Sequence, residues 1–213
     1  MVTSEAICVC SEWDASKTDV RLCEPCHRYW RGNKRLVSAT QLIRDVWPVK
    51  PDYSAAPPAV LENARDRGID VDRLLTLEIR GQLGDSYPLG TREDSIELFE
   101  KLMDWGYERL RGAEPQVLLA DDAVAGTCDL FTRDRWILDL KTVSKIEPYY
   151  HLQLGMYGIL YEYIHGLPPA GLGIIHLKKD ARVKLVELDM MQCMKDAWLL
   201  RDTYFMAQRR IGK

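Results

Sequence analysis

The chain has 213 residues, with 29 Lys and Arg against 32 Asp and Glu for a net charge of −3 and 46% hydrophobic residues, enough to bury one substantial core. Ten Tyr and six Trp with this apolar fraction exclude a disordered chain, and the near-neutral balance excludes a uniformly basic nucleic-acid coat, so any DNA contact is local. No apolar run approaches the roughly 18 residues of a membrane span, and MVTSEAICVC has no basic stretch leading into an apolar block, so a soluble, cytoplasmic protein with no membrane association is expected.

Cysteines come first along the chain. Cys8, Cys10, Cys23 and Cys26 crowd the amino-terminal segment, while Cys128 and Cys193 stand alone. In a reducing compartment, two close thiol pairs twelve residues apart suit a tetrahedral structural Zn²⁺, which would stabilise a segment too short for its own core. Cys128 and Cys193 read as small core residues, and His27 as a neighbour of the site. Residues 1–35 are therefore expected to be a zinc-binding segment, and 36–213 the main domain. The segment ends in HRYWRGNKR, the most basic stretch, where Arg28, Arg31, Lys34 and Arg35 would hold a DNA backbone and Tyr29 and Trp30 would stack on a frayed base.

SATQLIRDVW opens with Ser38 or Thr40 as a helix cap and stops before Pro48. From Pro58 the apolar positions Val60, Leu61, Ala64, Ile69, Val71, Leu74 and Leu75 recur at helical spacing, with Gly68 interrupting and Gly81 closing. Thr91, three residues before Asp94, resembles a capping box for a helix carrying Ile96, Phe99, Leu102, Met103 and Leu110 and ending at Gly112. The period then changes. QVLLA, VAGTCDLF and WILDLK read as strands, YYHLQLGMYGILYEYIHG as a helix, GLGIIHLKK and RVKLVELD as a hairpin, and Met190 to Arg210 as a last helix. This order predicts an α/β fold, a mixed sheet flanked by helices.

Within WILDLK, alternation puts Ile137, Asp139 and Lys141 on one face. A hairpin centred on Asp134 sets Phe131 opposite Ile137 and Asp129 opposite Asp139. Two carboxylates so paired repel unless a cation lies between them. Hard oxygen ligands select Mg²⁺ or Mn²⁺, and the matching chemistry is phosphodiester hydrolysis, with Lys141 placed to handle the attacking water and offset charge on the phosphorus oxygens. Glu114 is a candidate third carboxylate. The competing reading is a solvated strand face on which Lys141 pairs with one of the two aspartates. Lys178, Lys179, Arg182 and Lys184 would line the same groove, and His176 reads as a packed strand residue. No G-x-x-x-x-G-K-[ST] loop is present, so no ATP-driven motor is built in.

G-x-x-D from Gly126 to Asp129, D-x-K from Asp139 to Lys141, and Q-x-x-x-Y from Gln153 to Tyr157 on the following helix resemble, in order and element type, the motifs of the PD-(D/E)XK nuclease superfamily. Within it, the chain is most similar to the RecB-like and lambda-type phage exonuclease group over roughly residues 36–165, including Glu114 and the VSATQLI opening. The resemblance implies a restriction-endonuclease-like central sheet and a Mg²⁺- or Mn²⁺-dependent deoxyribonuclease. It implies that Glu114, Asp129, Asp139 and the backbone carbonyl of Leu140 hold metal, that Lys141 is the catalytic lysine, and that Gln153 and Tyr157 order it or touch the DNA backbone. RecB-like members carry a histidine where RGIDVDRLL has Asp72, which makes Asp72 a possible ligand. Some members bind an iron–sulfur cluster, usually with one cysteine before and three after the core, an arrangement that fits the four amino-terminal cysteines less well than zinc does.

The expected function is an exonuclease in DNA recombination or end processing, working on single- or double-stranded ends, with a recombinase or helicase as partner and an oligomer as one possible state. The alternatives are an endonuclease, a CRISPR-adaptation-type end trimmer, or a non-catalytic zinc-containing DNA-binding protein.

Overall fold

A computed structural model describes residues 19–23, 26–47, 56–178, 180 and 182–211. Three short strands open it: β1 (Val20–Cys23), β2 (Arg28–Arg31) and β3 (Lys34–Ser38), joined as an antiparallel meander. The sequence reading gave this stretch no strands, because four- and five-residue strands rich in Arg and Lys have little apolar alternation to recognise. β3 pairs parallel with β5, and this joins the meander to an eight-stranded sheet ordered β1-β2-β3-β5-β6-β7-β8, with β4 also on β5. The boundary placed at residue 35 thus falls inside β3.

α1 (Ala39–Val46) begins where the Ser38 side chain accepts a hydrogen bond from the Gln41 amide at 3.0 Å, the cap read from sequence. α2 (Pro58–Ile79) starts with proline in its first turn and runs unbroken through Gly68. Gly68 is tolerated there for close packing: a Cβ at this position would lie 3.0 Å from Thr142 Oγ1, just beyond Lys141. α3 (Glu93–Leu110) is preceded by Arg92 rather than capped by Thr91, whose hydroxyl donates to the Pro88 carbonyl at 2.7 Å. It ends at Gly112, at φ +73°.

The remaining elements follow the expected order: β4 (Glu114–Ala120), β5 (Val124–Phe131), β6 (Trp136–Lys141), α4 (Tyr149–His165), β7 (Gly171–Leu177), β8 (Val183–Leu188) and α5 (Met190–Ile211). β6 and β7 are parallel with α4 as the crossover, and β7 and β8 form the expected hairpin.

Helices cover both faces. On one, α1, α4 and α5 pack on Val124, Cys128, Ile137, Leu172 and Ile174; on the other, α2 and α3 pack on Leu130, Leu138, Leu140, Ile175 and Leu177. α4 is apolar nearly all round because it lies between the sheet and α5. Cys128 and Cys193 are buried core residues, as read from sequence.

α5 is also fixed to the β4–β5 turn. Asp121 accepts the amides of Ala123 (2.7 Å) and Val124 (2.8 Å) and forms an ion pair with Arg201, whose guanidinium lies over the rings of Trp198 and Phe205.

Candidate active site

The sheet forks at the middle of β5. On the edge away from β4, Val124 and Ala125 pair with β3, whereas Leu130 and Phe131 pair with Ile137 and Leu138 of β6. Between these two short ladders, Gly126 to Asp129 face a gap. The β5–β6 register is the one expected from a turn centred on Asp134, but the backbone ladder stops at Leu130 and Leu138. Beyond it, the Asp129 side chain takes the place of a backbone acceptor and receives the Leu140 amide at 2.8 Å.

Facing is disturbed at the same level. Cys128 packs on the α4 side, yet Leu130, two residues on, packs on the α2–α3 side, so strict alternation fails at Asp129. On β4, Pro115 pairs with Leu130 and Val117 with Cys128, which sets Gln116 opposite Asp129. Gln116 has φ +56°, a left-handed conformation unusual for a side-chain-bearing residue inside a strand.

Four titratable side chains meet at the fork. Asp139 is 1% exposed, and neither of its carboxylate oxygens has a hydrogen-bond partner; its Oδ2 contacts Lys141 Nζ at 2.5 Å in an ion pair without hydrogen-bond alignment. Burial and then the Asp139 charge push the Asp129 carboxyl well above the usual range, with Lys141 and the Leu140 amide opposing. Asp72 reaches in from α2. Burial, reinforced by Asp139, raises it to about 6 in spite of the Gln116 carboxamide, whose Nε2 donates to both Asp72 oxygens at 3.0 Å. Burial alone would lower the Lys141 ammonium, but Asp139 and Asp129 outweigh it and the net shift is upward. The lysine is thus held charged, 5.0 Å above the Tyr150 ring.

α4 completes the wall. Gln153 Nε2 donates to the Tyr157 hydroxyl at 2.9 Å, and burial followed by the Asp139 charge raises the Tyr157 phenol far above its ordinary value. The Tyr157 ring fills the space over Gly126, where a Cβ would lie 2.5 Å from a ring carbon, and this is the physical reason for glycine at the head of G-x-x-D.

The structure therefore brings together Asp72, Asp129, Asp139, Lys141, Gln153 and Tyr157. Glu114 is different: it is exposed at the start of β4 opposite Phe131, two residues from the fork, and is not among the charges acting on Asp129. Gln116 occupies the position near the carboxylates that the sequence reading had assigned to Glu114. Among the described residues, no three carboxylate, histidine or cysteine side chains are already converged on one ion. What the site offers is donor chemistry that suits a hard cation: a buried Asp139 carboxylate met by Lys141 through one oxygen, and two further carboxyls raised chiefly by burial and further by the Asp139 charge.

Two residues were missed from sequence. Tyr150 shares a helix face with Gln153 and Tyr157, at spacings of three and seven, a pattern visible in advance. Gln116 belongs to no motif, and only the β4–β5 register points to it.

The basic stretch is engaged differently from the expectation. Arg31 pairs with Asp122, and Lys34 Nζ donates to the Asp122 carbonyl at 2.5 Å, so these two charges brace the β4–β5 turn; Arg35 reaches Gln41 at 3.4 Å, and Arg28 is exposed on β2. Tyr29 is buried with its hydroxyl 3.1 Å from Thr127 Oγ1, so it is not a stacking platform. His176 is packed, its Nε2 2.7 Å from the Val143 carbonyl. On the late hairpin Arg182 pairs with Asp180, and Lys179 lies outside the described residues. Cys23 is buried and its thiol acts on that of Cys26 across the β1–β2 turn, whereas Cys8 and Cys10 lie outside the described residues. No helix among the described residues is long and apolar enough to cross a membrane.

No protein-family model matches the chain, and no curated protein matches it in sequence. Solved structures do match. A protein from Eubacterium rectale, provisionally named an exonuclease, superposes with a TM-score of 0.56 at 12% identity, over 83% of this chain and 79% of its own. A phage-related exonuclease from Haemophilus somnus 129PT (TM-score 0.39, 13% identity, 84% and 96% covered) and an alkaline exonuclease from Laribacter hongkongensis (0.38, 11%, 83% and 93%) match less closely. On the first of these superpositions, the chain has the fold of the Eubacterium rectale protein, in agreement with the fold implied by its D-x-K and Q-x-x-x-Y motifs.

Proposed function

We propose that the protein is a divalent-metal-dependent deoxyribonuclease of the PD-(D/E)XK superfamily, an exonuclease that trims DNA ends in recombination or end processing. The observation that carries this reading is the meeting of Asp129, Asp139 and Lys141 at the fork between β5 and β6, with both Asp139 oxygens buried and lacking hydrogen bonds. At 1% exposure the Asp139 carboxylate is met by Lys141 through one oxygen, which leaves further lone pairs for a cation. The likeness of fold to an exonuclease-named protein supports it.

Asp129, Asp139, the Leu140 carbonyl and Asp72 would hold Mg²⁺ or Mn²⁺. When bound, such an ion supplies Lewis-acid polarisation of the phosphate and lowers the pKa of water. The chain's own residues do the rest. Attack by a water oxygen on phosphorus forms one P–O bond and breaks the bond to the leaving sugar oxygen, which takes up a proton. Lys141, held charged by Asp139 and Asp129, donates hydrogen bonds to the phosphorus oxygens as negative charge builds on them. Tyr150 and the Gln153–Tyr157 pair keep that lysine and the wall behind it in place.

Cys23 and Cys26, close enough for their thiols to interact, would supply half of a four-thiolate zinc set, to which Cys8 and Cys10 would contribute the remainder. A recombinase or a helicase would supply processivity.

The test is digestion of end-labelled duplex and single strands, and of covalently closed circles, with Mg²⁺ or Mn²⁺. The expected result is metal-dependent loss of linear DNA, sparing of circles, and a fall of at least ~100-fold in Lys141→Ala. Absence of metal-dependent cleavage by the wild type, or equal cleavage by the variant, refutes the mechanism. Cleavage of closed circles favours an endonuclease.

A further inference from the structure

The carboxylate from α2 is set by a residue on the opposite element. Asp72 sits one turn beyond Gly68, on the helix face that Gly68 brings against Thr142. That contact delivers Asp72 to the fork but leaves its carboxylate free to rotate about χ2. The Gln116 carboxamide removes this freedom by donating to both oxygens at 3.0 Å. To do so it projects from a residue at φ +56° within β4, a conformation that costs a side-chain-bearing residue roughly 1 kcal/mol or more relative to glycine. Pairing is regular on either side of it, with no inserted residue, so the turn is not forced by register. A left-handed residue at the one unpaired step of the ladder, opposite Asp129 where alternation also fails, and carrying the group that orients Asp72, is the combination found where local strain serves a site.

We propose that Gln116 is a positioning residue for divalent-cation binding: its carboxamide, projected by the left-handed turn in β4, fixes the Asp72 carboxylate facing Asp129 and Asp139 and so sets the affinity of the fork for the ion. This rests on the nuclease reading above and names a residue which that reading does not need. The role is indirect; Gln116 acts through Asp72.

The test measures Mn²⁺ binding to the full chain without DNA, by the electron paramagnetic resonance of free Mn²⁺, together with thermal denaturation in EDTA. Gln116→Gly removes the carboxamide while accepting φ +56° without strain. It is expected to bind Mn²⁺ about 10-fold more weakly, in the range for loss of a group that orients a ligand, while its melting temperature falls little, because the relief of φ +56° offsets much of the lost contact. If the carboxamide were merely a tie between α2 and β4, the variant would melt lower and bind Mn²⁺ normally. In an Asp72→Ala background, Gln116→Gly is expected to have no further effect on binding. An unchanged affinity in Gln116→Gly, or an equal loss with and without Asp72, overturns the proposal while leaving the nuclease reading intact. If the wild type binds no Mn²⁺, both fall.

Discussion

Replacing Asp72 by Asn should stabilise the metal-free protein at neutral pH. The carboxyl titrates near 6 in the folded chain against 3.8 for an ordinary aspartate. Between those values the folded state holds a proton that the unfolded state has lost, so this group's contribution to stability falls as pH rises through the window and is fully unfavourable above it. The difference between 3.8 and about 6 corresponds to about 3 kcal/mol at pH 7.5. Asn keeps an oxygen to accept from Gln116 but loses the second arm of that contact, which leaves a net gain of about 2 kcal/mol. For a chain of this length the gain is about 4–8 °C in Tm. The assay is thermal denaturation in EDTA from pH 4.5 to 7.5. The two proteins should melt together at pH 4.5 and diverge with rising pH, the variant higher. Asp129, raised in the same direction and in part by Asp72 itself, leaves part of the wild-type slope in the variant, so the difference between the curves reports Asp72 together with its effect on Asp129. A variant that melts at or below the wild type at pH 7.5 would refute the account of repulsion and burial at the fork.

Two packing predictions follow from the same coordinates. Gly126→Ala sets a methyl group 2.5 Å from a Tyr157 ring carbon and should cost about 2–3 kcal/mol in denaturant unfolding, recovered largely by adding Tyr157→Leu; the same loss in both backgrounds would contradict this contact. Arg201→Ala leaves Asp121 buried without its counter-charge and should destabilise by about 3–5 kcal/mol, whereas removing the exposed pair by Arg31→Ala should cost less than about 1 kcal/mol; equal effects would contradict the burial difference.

From Ser38 onward the fold was legible because its elements are long and their apolar periods distinct: WILDLK alternates, and the helix from Tyr149 ends on a glycine in the left-handed region. The β1–β3 meander was not, since its strands gain stability mainly by extending an existing sheet through β3 and β5, a cause invisible in Arg28 to Ser38 themselves. Helix α2 passing through Gly68 is a tertiary effect of the same kind, helix propensity yielding to a close contact with Thr142. At the site, the pairing of Phe131 with Ile137 and Leu130 with Leu138 followed from counting about Asp134, whereas Asp129, beyond the ladder, accepts the Leu140 amide instead of pairing with Asp139. Glu114 lies at the exposed start of β4, and the sequence does not reveal which residue of that strand reaches the fork; Gln116 was hidden because a positive φ leaves no mark on a glutamine.

The hydrogen bond that the Leu140 amide donates to the Asp129 carboxyl has a consequence for genetics. A loss-of-function allele encoding alanine at codon 129 would confound two defects, an open seam between adjacent strands and a vanished acidic group. Asparagine retains a carbonyl oxygen to receive that amide, so a folded but inert Asn allele would report on the charge alone.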